Sequence, residues 1–227
     1  MLEGNLAMAG TKAETYFDGV QLSLVRALEQ GDGEAVQRAL AAGADINGAG
    51  RLGVVPFLYF IANNDAAALV RLYKLGAKFD YRLPHALGPN FPEIFGWVPA
   101  NRDTSMLKAL LEAGMDANFR PDGDSPLIYW TINPYNRPAL ELLLKFGADI
   151  NAQDHLGRTA LHDAIQAESY DVARYLVENG ARPTLATTRG KTALDYLRRD
   201  KAKFAAGSPI AREVDALLAL LADKGFR

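Results

Sequence analysis

Apolar positions along this chain recur in pairs of helical stripes separated by short polar breaks. In "TALHDAIQAESYDVARYLVENGA", Leu161, Ala164 and Ile165 lie on one face at helical spacing. After a break near Ala167–Ser169, Val172, Ala173, Leu176 and Val177 form a second stripe. Thr159 precedes the first stripe as an N-cap whose hydroxyl can satisfy a free first-turn amide. Gly180 ends the second, because glycine tolerates the positive φ of a helix terminus. The pattern predicts a short helix pair, and so small a pair cannot bury its own apolar face; neighbouring pairs must stack.

The same phrase recurs along the chain. "LAAGADIN" ends at Asn47, "YKLGAKFD" at Asp80, "LEAGMDAN" at Asn118, "LKFGADIN" at Asn151 and "VENGARPT" at Thr184. Their glycines, Gly43, Gly76, Gly114, Gly147 and Gly180, are spaced 33, 38, 33 and 33 residues apart. A second phrase interleaves: "GVVPFL" from Gly53, "GDSPLI" from Gly123, "GRTALH" from Gly157 and "GKTALD" from Gly190. A fixed period of this length is the signature of a helical solenoid. It also places "SPLIYWTINPY", rich in strand-forming residues, in a helix: Ser125 is expected to cap it, Pro126 and Leu127 to open it, and Asn133 and Pro134 to end it.

On these motifs, "GRTALHDAIQAESYDVARYLVENGA" above all, the chain resembles the ankyrin repeat family, with Ala160 in place of the usual proline. The resemblance runs over about residues 17–224. It implies an all-α solenoid of about six helix-turn-helix units with β-turn fingers, whose concave face binds other proteins. The expected organisation is a flexible segment, 1–16, and a single domain, 17–227, with units at about 17–49, 50–82, 83–120, 121–153, 154–187 and 188–227. The first unit is a degenerate cap. In the last, "LDYLRRD" is followed by a long loop, Lys201 to Ser208, and "PIAREVDALLALLADKG" closes the stack as an amphipathic helix.

Aromatic residues interrupt the pattern. "FLYFI", "IFGWV" and "LIYWT" place Phe60, Trp97 and Trp130 where Ala164 stands in the regular unit. These rings either lengthen the core or push the inner helices apart and leave edges in the groove. Tyr59 and Tyr129 precede two of them, at a position the family geometry turns toward the concave surface. The insertion "YRLPHALGPNFPE" explains the 38-residue spacing, and its three prolines and glycine exclude a continuous helix. The partner-binding residues expected from these features are Tyr59, Tyr81, His85, Phe91, Tyr129 and Tyr135, since Tyr and Trp anchor interfaces.

Composition narrows the chemistry. A net charge of −2 in 227 residues gives no global attraction to nucleic acid or anionic membrane, and the lack of basic–aromatic interleaving points the same way. The basic cluster Arg198, Arg199, Lys201 and Lys203 reads as a solvated helix face. Without cysteine there is no disulfide, thiol nucleophile or cysteine metal site. The apolar run Val54 to Ala62 is too short to span a bilayer. The opening lacks a basic n-region and long apolar core, so it is not an intact signal peptide, although a chain whose leader had been removed would look the same. His162 fills a structural slot of the family motif, and His85 and His155 have no metal-ligand spacing. Asp122 and Asp124 flank a turn rather than form a calcium loop. No catalytic residue, metal site or cofactor is expected.

The resulting expectation is a non-catalytic module, monomeric when free, that binds one protein through its concave face and fingers. The opening "YFDGVQLSLVRALEQGDGEAVQRALAAGADINGAGRLG" resembles small free-standing bacterial ankyrin proteins, often periplasmic. Some of these are immunity proteins that sterically block a secreted toxic effector such as a phospholipase. The alternatives are a structural scaffold or general adaptor, and a cytoplasmic location.

Overall fold

The computed structural model describes residues 10–79, 103–121, 123–132 and 136–226. They fall into two compact units: residues 10–79 with 103–115, and residues 116–121, 123–132 and 136–226. The architecture is all-α.

The first unit contains α1 (Gly19–Gln30), α2 (Gly33–Ala41), α3 (Pro56–Ala62), α4 (Ala66–Lys74) and α5 (Ser105–Glu112). Helices α1 and α2 form one antiparallel pair and α3 and α4 the next; α4 also packs on α1 and α5. The outer helices start alike. Asp32 and Asp65 each accept the amide three residues on, at 2.9 Å, which satisfies a donor with no intrahelical partner. Phe17, Leu24, Leu28, Leu58, Phe60, Leu69, Leu72, Leu107 and Leu110 fill the core. Residues 10–16 belong to this structure too: Ala13–Thr15 make a 3₁₀ turn, and Ala13 and Tyr16 are buried.

The second unit contains a 3₁₀-helix (Leu127–Thr131), α6 (Arg137–Lys145), α7 (Ala160–Gln166), α8 (Tyr170–Glu178), α9 (Ala193–Lys203) and α10 (Pro209–Asp223). Inner elements pack on inner elements, α7 on the 3₁₀-helix and on α9, and the outer α10 packs on α8. Two expectations change here. "LIYWT" forms a 3₁₀-helix rather than an α-helix, and its N-cap is Pro126 rather than Ser125. Thr131 Oγ1 donates to the Ile128 carbonyl three residues back at 2.7 Å. Pro134 has no N–H for the Trp130 carbonyl four residues earlier, which removes the bond that would continue an α-helix. Asn133, Pro134 and Tyr135 lie outside the described residues. The second change is at the C-terminal end, where α9 runs through Lys203 and shortens the expected loop. Lys201 pairs with Asp215 at 2.9 Å and Lys203 with Glu168, so the extra turn carries cations matched to α10 and to the α7–α8 corner. Helix α10 buries Ala211, Val214, Leu217 and Leu221 and exposes Arg212, Glu213 and Asp215.

The repeated asparagine explains the constancy of the period. Asn47, Asn118 and Asn151 accept, through Oδ1, the amides of Lys78, Asp149 and Arg182 at 2.7–2.8 Å, each 31 residues ahead. In the second unit Asn118 and Asn151 also donate to the carbonyls of Gly147 and Gly180. Asp45, Asp116 and Asp149 each hold the amide of the asparagine two residues on, which fixes its backbone. Fingers stack as closely. Gly157 has φ +72, and a Cβ there would lie 3.0 Å from both Thr187 Cα and Thr188 N. The Thr188 amide donates to the Leu156 carbonyl at 2.8 Å.

A buried polar link joins α8 to α9. Tyr170, 1% exposed, donates its hydroxyl to Asp200 Oδ2 at 2.9 Å, and Arg199 Nη2 donates to Oδ1 at 2.7 Å. Both oxygens of a buried carboxylate are thereby satisfied.

Candidate functional site

The finger glycines Gly53, Gly123, Gly157 and Gly190 are each followed, six residues on, by an inner-helix side chain: Tyr59, Tyr129, Asp163 and Tyr196. In the second unit all three such residues are partly exposed, so they form a strip across successive inner elements. Tyr129 is held by its hydroxyl, which donates to the Arg158 carbonyl of the next finger. Burial, reinforced by Asp163 and Asp154, pushes its phenol well above the usual range, and it stays neutral.

Arg158 organises the centre. Its Nη2 and Nε lie 2.7 and 2.8 Å from Asp154 Oδ2, and Nη1 lies 3.5 Å from Asp163 Oδ1. The Asp154 side chain is 0% exposed, whereas Arg158 and Asp163 reach solvent at 33% and 24%. Asp154 also accepts the Leu156 and Arg158 amides, so it shapes the finger while holding the guanidinium. Burial pushes Asp163 up to about 6, with Asp154 adding to the rise and Arg158 opposing it. At the far end Tyr196 meets the His162 ring edge-on at 5.7 Å, and Arg199 lies 5.2 Å over the Tyr196 ring.

His162 itself is 0% exposed, its Nδ1 lying 3.0 Å from Thr159 N and 2.8 Å from Thr159 Oγ1. Burial pushes its pKa down, and a neutral ring that accepts the N-cap amide at Nδ1 is a structural fastening.

The expected binding residues divide three ways. Tyr129 lies on the strip, half-buried. Tyr59 is a correction: at 3% exposure it is not open in the groove. Its ring meets Phe17 and Phe60 edge-on at 5.8 and 5.5 Å, and its hydroxyl donates to Glu29 at 2.7 Å. Tyr81, His85, Phe91 and Tyr135 lie outside the described residues. Of the aromatic series, Phe60 is core, Trp130 is half-buried and Trp97 lies outside the described residues. Arg158, Asp163 and Tyr196 are not singled out by the sequence, yet Asp163 and Tyr196 follow from counting six residues past each finger glycine; Arg199 belongs to the basic cluster read as a solvated helix face.

Among the described residues no group of three His, Asp or Glu side chains could hold a metal ion, and no helix is long and apolar enough to cross a membrane. What the strip presents is a row of phenols, a guanidinium pair and a desolvated carboxylate, which suits recognition of a surface.

Comparison with known proteins gives the same architecture. The profile for ankyrin repeats, three copies, matches residues 97–187. A mitochondrial disaggregase of Bos taurus is 32% identical over 60% of this chain, which spans 20% of that protein's length. The crystal structure of the ankyrin repeat protein EF0377 aligns over 89% of this chain and 98% of its own, at TM-score 0.61 and 22% identity. A chain from the complex of a predatory endopeptidase of Bdellovibrio bacteriovorus with an immunity protein aligns over 86% of this chain and 97% of its own, at TM-score 0.56 and 20% identity. The repeats, the finger geometry and these likenesses agree: residues 97–187 match ankyrin repeats, and the fold is the all-α solenoid of ankyrin repeat proteins.

Proposed function

We propose that this protein binds one protein partner through the Tyr129–Asp163–Tyr196 strip and the adjoining finger residues, and that it is an immunity protein that sterically blocks a secreted toxic effector. The observation that carries the reading is the strip itself. At one register position, successive inner elements expose two phenols and a carboxylate rather than small residues. Aromatic and arginine side chains on a rigid scaffold are what interface anchors require. The inhibitory role draws support from the likeness to a chain of an endopeptidase–immunity protein complex. On this reading the protein is a bacterial monomer that acts in the periplasm, and it inhibits by covering an active-site entrance. The burial of Tyr59 and Phe60 favours the scaffold alternative for the first unit, where those aromatics are architecture.

The test is capture from the native host with the intact protein and with Tyr196→Ala, followed by assay of whatever hydrolase is retained. The expected result is an enzyme inhibited in proportion to bound protein, with both capture and inhibition weakened by Tyr196→Ala while thermal unfolding is little changed. Capture that is indifferent to Tyr196, or a retained enzyme that stays fully active, would overturn the reading.

A further inference from the structure

The first unit has the same register position on its own inner helices. One 33-residue period before Tyr59 stands Arg26, on the inner helix α1. Arg26 and Tyr59 are therefore the register equivalents of Tyr129, Asp163 and Tyr196. Both are taken by the chain's own N-terminal segment. The Gly10 amide donates to Asn63 Oδ1 at 2.9 Å, just past the end of α3. The Thr11 carbonyl lies 3.3 Å from the Tyr59 hydroxyl, whose proton goes to Glu29 at 2.7 Å. The Glu14 carboxylate pairs with the Arg26 guanidinium. The Glu14 and Tyr16 carbonyls accept from Arg51 of the finger, the first from Nη1 at 3.4 Å and the second from the amide at 2.6 Å. From Gly10 to Tyr16 the segment thus crosses the foot of the inner helices, then both register positions, then the finger.

This path accounts for the exposure difference that sequence does not explain. Tyr59 is buried while Tyr129 and Tyr196, at the same register position, are half-buried, because residues 10–17 lie over Tyr59. We propose that residues 10–16 are a displaceable occupant of this position in the first unit, and that its ligand there is an extended, carboxylate-bearing segment of the partner that displaces them. The proposal rests on the strip being the partner face.

The contacts specify that chemistry. Arg26 and Arg51 supply cations for a carboxylate and carbonyls, and Asn63 supplies an acceptor for an amide. Displacement is feasible because most of the contacts are at the surface. The Arg26 and Glu14 side chains are 49% and 46% exposed, and an exposed ion pair adds little stability. Only Ala13 and Tyr16 anchor the segment by burial. Segments held this way open locally, below the free energy of global unfolding.

Two measurements test it without any external partner, so their failure leaves the proposed function standing, and failure of partner capture leaves them readable. Native-state hydrogen exchange on the intact chain should show the Gly10 and Thr15 amides exchanging through a local opening, well before those of the α1 interior. Exchange only with global unfolding would make the segment core and overturn the proposal. A synthetic peptide of residues 9–17, AGTKAETYF, should bind the full-length Glu14→Lys protein about tenfold or more tighter than the native chain, whose tethered segment competes at high effective concentration. The same peptide with glutamine at its Glu14 position should bind about two- to fivefold more weakly, as the loss of one exposed ion pair implies. No binding to a folded Glu14→Lys protein, or equal binding to both proteins, would also overturn it.

Discussion

Asp163→Asn should raise stability at neutral pH and have no such effect in acid. One guanidinium, Arg158, serves two carboxylates, and its shorter contacts, 2.7 and 2.8 Å, go to Asp154 while Asp163 is left at 3.5 Å. Asp163 is desolvated and under-compensated, and burial carries it from 3.8 to about 6. Because its folded value lies above its unfolded value, the native state holds a proton between these pH values that the unfolded chain has lost. Raising pH through that window therefore costs stability, and the full cost is present above it. A rise of about two units corresponds to roughly 3 kcal/mol. Partial access of the side chain to solvent places the effect nearer 2 kcal/mol, on the order expected for an exposed-edge site. Asparagine mimics the neutral acid, so the variant should gain about 2 kcal/mol at pH 8 and nothing at pH 4. Urea unfolding of both proteins at the two pH values measures this as a shift in midpoint at constant slope. A difference that does not change with pH, or a loss at pH 8, would mean Arg158 fully compensates Asp163, and the reasoning fails.

Gly157→Ala and Gly190→Ala should separate left-handed backbone strain from finger stacking. Both glycines have positive φ, +72 and +68, but only at Gly157 would a Cβ meet backbone at 3.0 Å. Thermal unfolding should show a shared loss of about 1–2 kcal/mol, and a further 1–3 kcal/mol at Gly157 alone. Equal losses would show that the Thr187–Thr188 finger yields without cost. Tyr170→Phe leaves Asp200 Oδ2 buried without its donor and should cost about 1–3 kcal/mol in chemical denaturation. A neutral result would mean that water replaces the hydroxyl.

The period and the helix pairs were legible in the sequence because they are written by local rules. Gly43, Gly147 and Gly180 end helices where positive φ is needed, and Asp32 and Asp65 begin them where an amide needs an acceptor. His162 was equally legible, since its role is completed by Thr159 three residues away. The state of Tyr59 was not, because its cover comes from residues 10–17, more than a whole repeat earlier, and no periodicity reports it. Nor was the 3₁₀ geometry of Leu127–Thr131: the repeat frame placed the element correctly but does not weigh the effect of Pro134 on its final turn. Asp163 was hidden by its chemistry. A lone aspartate on a helix reads as surface until the fold brings Asp154 and Arg158 beside it.

The 31-residue reach of the asparagine links bears on how such a chain can change length. Asn118 bonds the amide of residue 149, and Asn151 bonds that of residue 182. Excising any 33 consecutive residues from within 119–181 would deliver the Arg182 amide to Asn118, with the same bond re-formed. A loss of 32 or 34 would present the wrong amide. Whole-period duplication and deletion are thus chemically silent at this joint while single-residue slips are not. Such a chain can lengthen or shorten in the course of descent by unequal exchange of one repeat, and retain the asparagine link at the joint.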